Sequence, residues 1–225
     1  MSYIITIQYP YQYLTITLSD TTKVLSTHTI SKFQAISQLI PAFQNLLTEY
    51  NLTLADIACI GVNTGPGPFN TLRSIIATAN GISFATGIPL VDCNGLELML
   101  QEQDERNTVA ILDAFGTDVY FAMKFIQLSH KASAGTYGEM GYDSIKNVIA
   151  DLNNSRQKEI TFVGNGAIKY KELIMNEFDG TAVFIDDYVF ASTQALVDET
   201  YRKFSQGQTD KEIFPLYFAS PVVKS

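Results

Sequence analysis

The sequence predicts an α/β fold built in two halves, and three observations carry that prediction. Residues 3–29 alternate apolar and polar with a period of two, a strand, a glycine turn and a helix follow one another between residues 57 and 86, and the second half again mixes strand-like with helical runs.

Tyr3 to Ile7 and Tyr13 to Leu18 alternate β-branched or aromatic with polar residues around a Pro10-centred turn, and Lys23 to Thr29 repeats the pattern. That is the signature of a three-stranded antiparallel meander. Beyond Ser31, Phe33, Ile36, Ile40, Phe43, Leu46, Leu47 and Tyr50 recur at helical spacing. Pro41 lies inside that pattern, and proline is tolerated only in a first turn, so the helix is expected to start near Ser37 and run to Tyr50. An earlier start, with Ser31 and Gln34 as a capping box, requires a kink near Pro41.

Ile57 to Val62 reads as a strand, Asn63 to Phe69 as a turn, and about Asn70 to Thr86 as a helix stopped by Gly87 and Pro89. A short strand, Leu90 to Cys93, and a helix, Gly95 to Gln103, complete the first half. The polar stretch Gln103 to Asn107 marks the boundary, giving domains 1–103 and 104–225, with the tail 213–225 free to return to the first. The second half predicts strands at Thr108 to Leu112 and Val119 to Ile126, then a glycine-containing loop through Gly141. Helices at about Ser144 to Leu152, Ile168 to Phe178 and Thr193 to Phe204 alternate with strands at Ile160 to Val163 and Ala182 to Ile185. No repeat, low-complexity tract or heptad run is visible in the sequence.

Composition narrows the function classes. With 225 residues, 46% hydrophobic and 17% charged, a sizeable packed core is available. A net charge of −8 repels a phosphate backbone, so direct nucleic-acid binding is not expected, although a basic partner could bring it. No run approaches the roughly 18 apolar residues of a membrane span. No basic segment precedes Tyr3, so neither a signal peptide nor an anchor is read and the expected location is cytoplasmic. Cys59 and Cys93 fall at or near the ends of apolar runs and read as small buried hydrophobes, while His28 and His130 stand apart from other ligand types, so no metal is expected. No cofactor is expected either.

The informative segment is Thr64-Gly65-Pro66-Gly67-Pro68-Phe69-Asn70. Its glycines permit positive φ and its prolines fix theirs, so Gly65, Pro66, Gly67 and Pro68 form a stiff turn delivering the chain to a helix with Arg73 near its start. Helix starts bind anions, but Pro66 and Pro68 remove two of the N–H groups that a phosphate cradle would use, and no P-loop lysine follows. Arg73 is expected to bridge to an acidic neighbour in preference to holding substrate. Within the helix, Ala77, Gly81 and Ala85 lie four apart and form a shallow strip, while Leu72, Ile75, Ile76, Ala79 and Ile82 face the core. Two buried faces need two partners, which are either both internal or one of them another chain. The strip of Ala77, Gly81 and Ala85 lets another helix, internal or foreign, approach closely.

Gly65 to Arg73, then Ala77 to Gly81, then Gly87-Ile88-Pro89-Leu90-Val91 resemble the TsaB (YeaZ) family, whose pattern reads GPGSFTGLR, a small-residue helix and GIPL. Leu39-Ile40-Pro41 with Leu46-Leu47, Asp113-Ala114 with Val119-Tyr120, Gly164 to Ala167 and Pro215-Leu216-Tyr217 continue the resemblance in order. It implies an actin/Hsp70/sugar-kinase-like fold of two mixed α/β subdomains. It further implies a non-catalytic role in threonylcarbamoyl modification of the tRNA adenosine next to the anticodon. The implied partners are a TsaD-like catalytic subunit or a second copy, reached through the first two helices with a partner face over Ile40, Phe43, Leu47, Ala77, Gly81, Phe84 and Ala85, and a TsaE-like ATPase in the assembled complex.

Departures from the pattern bear on the partner. Gln8-Tyr9-Pro10 stands where the family has Asp-Thr-Ser/Ala, Pro68, Asn70 and Thr71 replace the turn's Ser, Thr and Gly, Phe115 replaces an arginine, and Ala219 a basic residue. The competing class is a small-molecule, ATP-dependent kinase or nucleotide-binding protein of the same fold, which needs a strand-one carboxylate for Mg²⁺ and an N–H-rich phosphate turn. A protease is not expected, because the histidines lack metal spacing and no nucleophile elbow is present. Asp113, before the Phe115-Gly116-Thr117 turn, is expected to accept local N–H bonds.

Overall fold

The structure is a computed structural model that describes every residue except 1, 10, 22, 104–105, 127–135 and 219–225. The Pro10 turn, His130 and Ala219 lie outside the described residues. Contacts divide the chain into two compact units, one of residues 1–95 with 192–216 and the other of 96–191 with 217–225. This division differs from a cut at residue 103, because the helix that opens at Thr193 packs on the first sheet.

In the first unit, β1 (Tyr3–Gln8), β2 (Tyr13–Ser19) and β3 (Val24–Ser31) form the expected antiparallel meander. β4 (Ile57–Asn63) and β5 (Leu90–Cys93) then add in parallel, giving the order β3-β2-β1-β4-β5. β1 is buried almost throughout, as befits a central strand covered on both faces. Because side chains alternate along a strand, Ile60 and Val62 of β4 join the core beneath α1 (Ala35–Glu49) and α2 (Phe69–Thr86), and Gly61 faces the other way. α7 (Thr193–Ser205) covers that opposite face. Ser192 caps its start: Ser192 Oγ accepts from Ala195 N at 3.1 Å.

α1 starts at Ala35, two residues before the expected Ser37, and carries Pro41 in its interior. The Ser31–Gln34 pair is present, but as a Ser31 Oγ donation to Gln34 Oε1 at 3.2 Å, and Gln34 makes no side-chain cap hydrogen bond. Burial of Ala35, Leu39, Ala42, Phe43, Leu46 and Leu47 on one face outweighs the single hydrogen bond that proline removes.

The second unit contains α3 (Gly95–Gln101) from Leu96 on, β6 (Thr108–Asp113), β7 (Asp118–Phe125), β8 (Thr136–Ser144), α4 (Ile145–Asn154), β9 (Glu159–Val163), α5 (Asn165–Lys169), α6 (Lys171–Glu177) and β10 (Thr181–Phe184). Its sheet order is β10-β9-β6-β7-β8, with β6, β7 and β8 antiparallel and β9 and β10 parallel. Counted from each unit's own first strand, both sheets therefore read 3-2-1-4-5, a duplication of topology that the sequence does not display. Two mixed α/β units with this shared strand order give the actin/Hsp70/sugar-kinase-like class.

Of the segment expected as a glycine-containing loop through Gly141, residues 127–135 lie outside the described residues and the rest belongs to the strand β8. Its glycines leave room for β7: a Cβ on Gly141 would stand 3.3 Å from the Phe121 ring, and one on Gly138 would stand 3.3 Å from the Met123 backbone oxygen. The helix expected from Ile168 to Phe178 is two short helices meeting at Tyr170. No described helix is long and apolar enough to cross a membrane.

Candidate functional site

The turn that feeds α2 is held from several sides. Thr64 N donates to Cys93 O at 2.9 Å, Gly65 N to Asn63 Oδ1 at 3.0 Å, and Gly95 N to Gly65 O at 2.8 Å. Gly65 has φ 116°, where a side chain would be strained, and its added Cβ would also meet Leu72 Cδ2 at 2.9 Å. The Gly65–Pro66 peptide is cis. With Gly65 N bonded internally and no N–H on Pro66 or Pro68, the turn serves to place α2 and presents few donors to an anion.

α2 turns Leu72, Ile75, Ile76 and Ala79 into the core and exposes Arg73, Ala77, Gly81, Phe84 and Ala85. It ends at Gly87, whose φ of 76° is the left-handed stop expected from the sequence. Beside it, Phe43 and Leu47 of α1 are 4% and 9% exposed and belong to the core, whereas Ile40 is 40% exposed. Between the two helices lies an apolar groove of about 420 Å³. Phe43 and Leu47 form its floor, Ile40 and Leu54 stand on one side, and Gly81, Ile82 and Ala85 on the other.

Of the seven residues expected at a partner face, Ile40, Phe43, Leu47, Gly81 and Ala85 line this groove. Ala77 and Phe84 are exposed on α2 without lining it, and Phe84 is 94% exposed. Ile82, assigned to the core from the sequence, is half-buried and lines the groove. Leu54 lies outside the expected face because it sits in a short 3-10 turn after α1, where helical periodicity has ended; the sequence offers only an apolar residue in a loop, and the structure leaves it 43% exposed. A Cβ built on Gly81 meets nothing within 4 Å. The glycine therefore serves neither internal packing nor a left-handed backbone.

Arg73 does not bridge to a carboxylate. Its guanidinium lies over the Phe69 ring at 5.0 Å, and among the described residues it has no ion pair. α2 carries no acidic residue, and the Phe69 ring one turn before Arg73 is the partner its guanidinium takes.

The strand ends hold two polar clusters. In the first unit Gln8, 5% exposed, accepts from Asn63 Nδ2 at 3.1 Å, and an added Cβ on Gly95 would stand 2.9 Å from the Asn63 amide. A neutral, tightly packed amide pair thus stands where a kinase needs a carboxylate. In the second unit Asp113 Oδ1 takes an ion pair from Lys169 Nζ at 2.8 Å and accepts from Phe115 N at 3.1 Å, the local turn role expected of it. Asn165 Oδ1 accepts from Asp113 N at 3.0 Å. The Asp113 hydrogen bond raises the Lys169 pKa. These bonds pin the tip of the β6–β7 hairpin, where Phe115 adopts φ 70° with its ring 68% exposed.

Cys59 and Cys93 are free and buried, and burial pushes both thiols up to about 12. His28 pairs with Glu49 at 3.1 Å. Among the described residues no group of three His, Cys, Asp or Glu side chains could hold a metal ion.

Residues 29–213 match the family model described as TsaD, tRNA N6-adenosine threonylcarbamoyltransferase. The chain is 26% identical over 188 residues, 80% of each chain, to the tRNA threonylcarbamoyladenosine biosynthesis protein TsaB of Buchnera aphidicola subsp. Baizongia pistaciae. Over 54 residues, 24% of this chain and 16% of the other, it is 46% identical to a tRNA N6-adenosine threonylcarbamoyltransferase of Clostridium botulinum. In structure it is similar to a Pseudomonas aeruginosa protein described as similar to peptidase YeaZ, with TM-score 0.77 and 20% identity over 97% of this chain and 100% of that one. The chain belongs to the family whose model carries the TsaD description, and within it to the TsaB (YeaZ) group.

Proposed function

We propose that this chain takes part in tRNA threonylcarbamoyladenosine biosynthesis as a non-catalytic, cytoplasmic subunit that docks a TsaD-like threonylcarbamoyltransferase through the α1/α2 groove. Gly81 carries the proposal. Glycine in a helix interior costs about 0.5–1 kcal/mol relative to alanine. Nothing within 4 Å of its missing Cβ recovers that cost inside the chain. A helix of another chain crossing α2 at Gly81 and Ala85 gives the small side chains a purpose, because it brings the two backbones close over an apolar floor.

Two observations support a non-catalytic role over a kinase of the same fold. Gln8 is bonded to Asn63 and supplies no charge for Mg²⁺, and the Asp113 carboxylate is paired with Lys169. A TsaE-like ATPase belongs to the same reading, joining after the pair has formed. A second reading, a twofold homodimer through the same helices, is favoured by Phe84. Nearly all of that ring is exposed beside an apolar groove, an arrangement that can be self-complementary.

Size-exclusion chromatography with light scattering on the chain mixed with the TsaD-like subunit of the same source tests the proposal. A co-eluting 1:1 complex is expected, and two folded proteins eluting separately would contradict it. Calorimetric titration with Mg-ATP tests the kinase alternative, for which this chain alone should bind tightly.

A further inference from the structure

Beyond α7 the chain runs back along its first unit as a strap, residues 209–216, held at four places. Asp210 and Leu90 exchange backbone hydrogen bonds of 2.8 and 2.9 Å. On α2, Ser83 Oγ donates to Lys211 O at 3.3 Å, and Asn80 brackets the backbone of Ile213: its Nδ2 donates to Ile213 O at 2.9 Å and its Oδ1 accepts from Ile213 N at 3.0 Å. Leu216 N donates to Thr64 O at 2.9 Å, at the start of the turn that launches α2. The Ile213 side chain, 3% exposed, enters the core beside α2, while Lys211, Glu212 and Phe214 around it are exposed.

At about 100° per residue, Asn80 and Ser83 point away from α2 roughly half a turn from Thr78, Gly81 and Ala85. The strap therefore lies along the back of the helix whose front forms the groove. Asparagine is a poor residue for a helix interior, because its side chain competes for backbone hydrogen bonds. Here the amide is committed to a segment more than a hundred positions away in sequence. We infer that Asn80 is a positioning residue: by clamping the strap to the back of α2 it fixes the rotation of that helix, and so the presentation of Gly81 and Ala85 to a docking partner. The inference rests on the docking role proposed above. It adds that the chain's own tail sets the geometry of the groove from behind.

The test compares Asn80→Ala with Ile16→Val, a core substitution on β2 chosen for a similar loss of thermal stability; Asn80→Ser replaces the alanine variant if that one does not fold. Binding to the TsaD-like subunit is measured by calorimetry, and hydrogen exchange of the α2 amides is followed in the free chain. Asn80→Ala should weaken binding about tenfold, with faster exchange along α2 and none in β1, while Ile16→Val binds as the parent does. Equal affinities for the two variants would overturn the inference. If the parent chain binds no partner, the docking reading falls on its own, and exchange alone decides the clamp: α2 protection unchanged by Asn80→Ala overturns it, and selective loss upholds it.

Discussion

Gly61 of β4 lies directly beneath Thr200 of α7, so close that a Cβ on the glycine would stand 2.0 Å from Thr200 Oγ1. Thr200 Oγ1 also donates to Leu196 O at 2.6 Å, which keeps the hydroxyl against its own helix. This contact seats α7 on the first sheet and makes residues 192–216 part of that unit. Gly61→Ala is therefore expected to destabilise the protein by about 3 kcal/mol through overpacking. Thr200→Ala in the same chain should restore only part of the loss, because Thr200 Cβ itself would stand 2.8 Å from the new methyl. Urea denaturation of the two single variants and the double variant measures the coupling.

Gly81→Ala should act in the opposite direction on the free chain. The new methyl meets open space, so helix propensity alone applies and stability rises by about 0.5–1 kcal/mol. A urea midpoint equal to or below the parent's would show that Gly81 has an internal role.

The two buried thiols give the protein a defined alkaline weakness. Burial raises both from an ordinary 9.0 to about 12, so folding favours the neutral form. That contribution is complete below about pH 9 and is lost as pH rises from there toward 12. The urea midpoint should fall over that window, and the fall should be shallower in a Cys59→Val, Cys93→Val variant. In the native protein at pH 8 a thiol reagent should label neither residue at an appreciable rate, and both should react in guanidinium chloride.

Asp113→Ala should loosen the β6–β7 hairpin tip. It removes the ion pair with Lys169 and the bond to Phe115 N that together support a residue at φ 70°. The pair is partly solvated, so the expected loss of stability is about 1 kcal/mol. Hydrogen exchange should quicken at residues 114–117 while the β9 amides stay protected.

Much of the fold was legible where local chemistry and burial agree. The turn from Gly65 to Pro68 and the left-handed stop at Gly87 declare themselves in sequence, and helical spacing marks the last helix, so α2 and α7 fall within a residue of the expected bounds. α1 was placed late because Pro41 argued for a later start, and only the buried face beneath it shows why the helix continues through the proline. β8 was invisible because its glycines answer to Phe121 and Met123 on the neighbouring strand, a reason that local propensity does not contain. At the site, helical spacing found Gly81 and Ala85 but not Leu54, which reaches the groove from outside the helical period, nor the strap behind Asn80, which is set by contacts across more than a hundred residues.

The most direct measurement is the affinity of the TsaD-like subunit for the parent chain and for Gly81→Leu, titrated by calorimetry alongside their urea midpoints. A leucine at this position fills the space a crossing helix would use and adds helix propensity to the free chain. The expected result is a midpoint at or above the parent's together with a loss of binding of about a hundredfold or more. Unchanged affinity in a folded Gly81→Leu protein would mean that the groove between α1 and α2 is not where the partner binds.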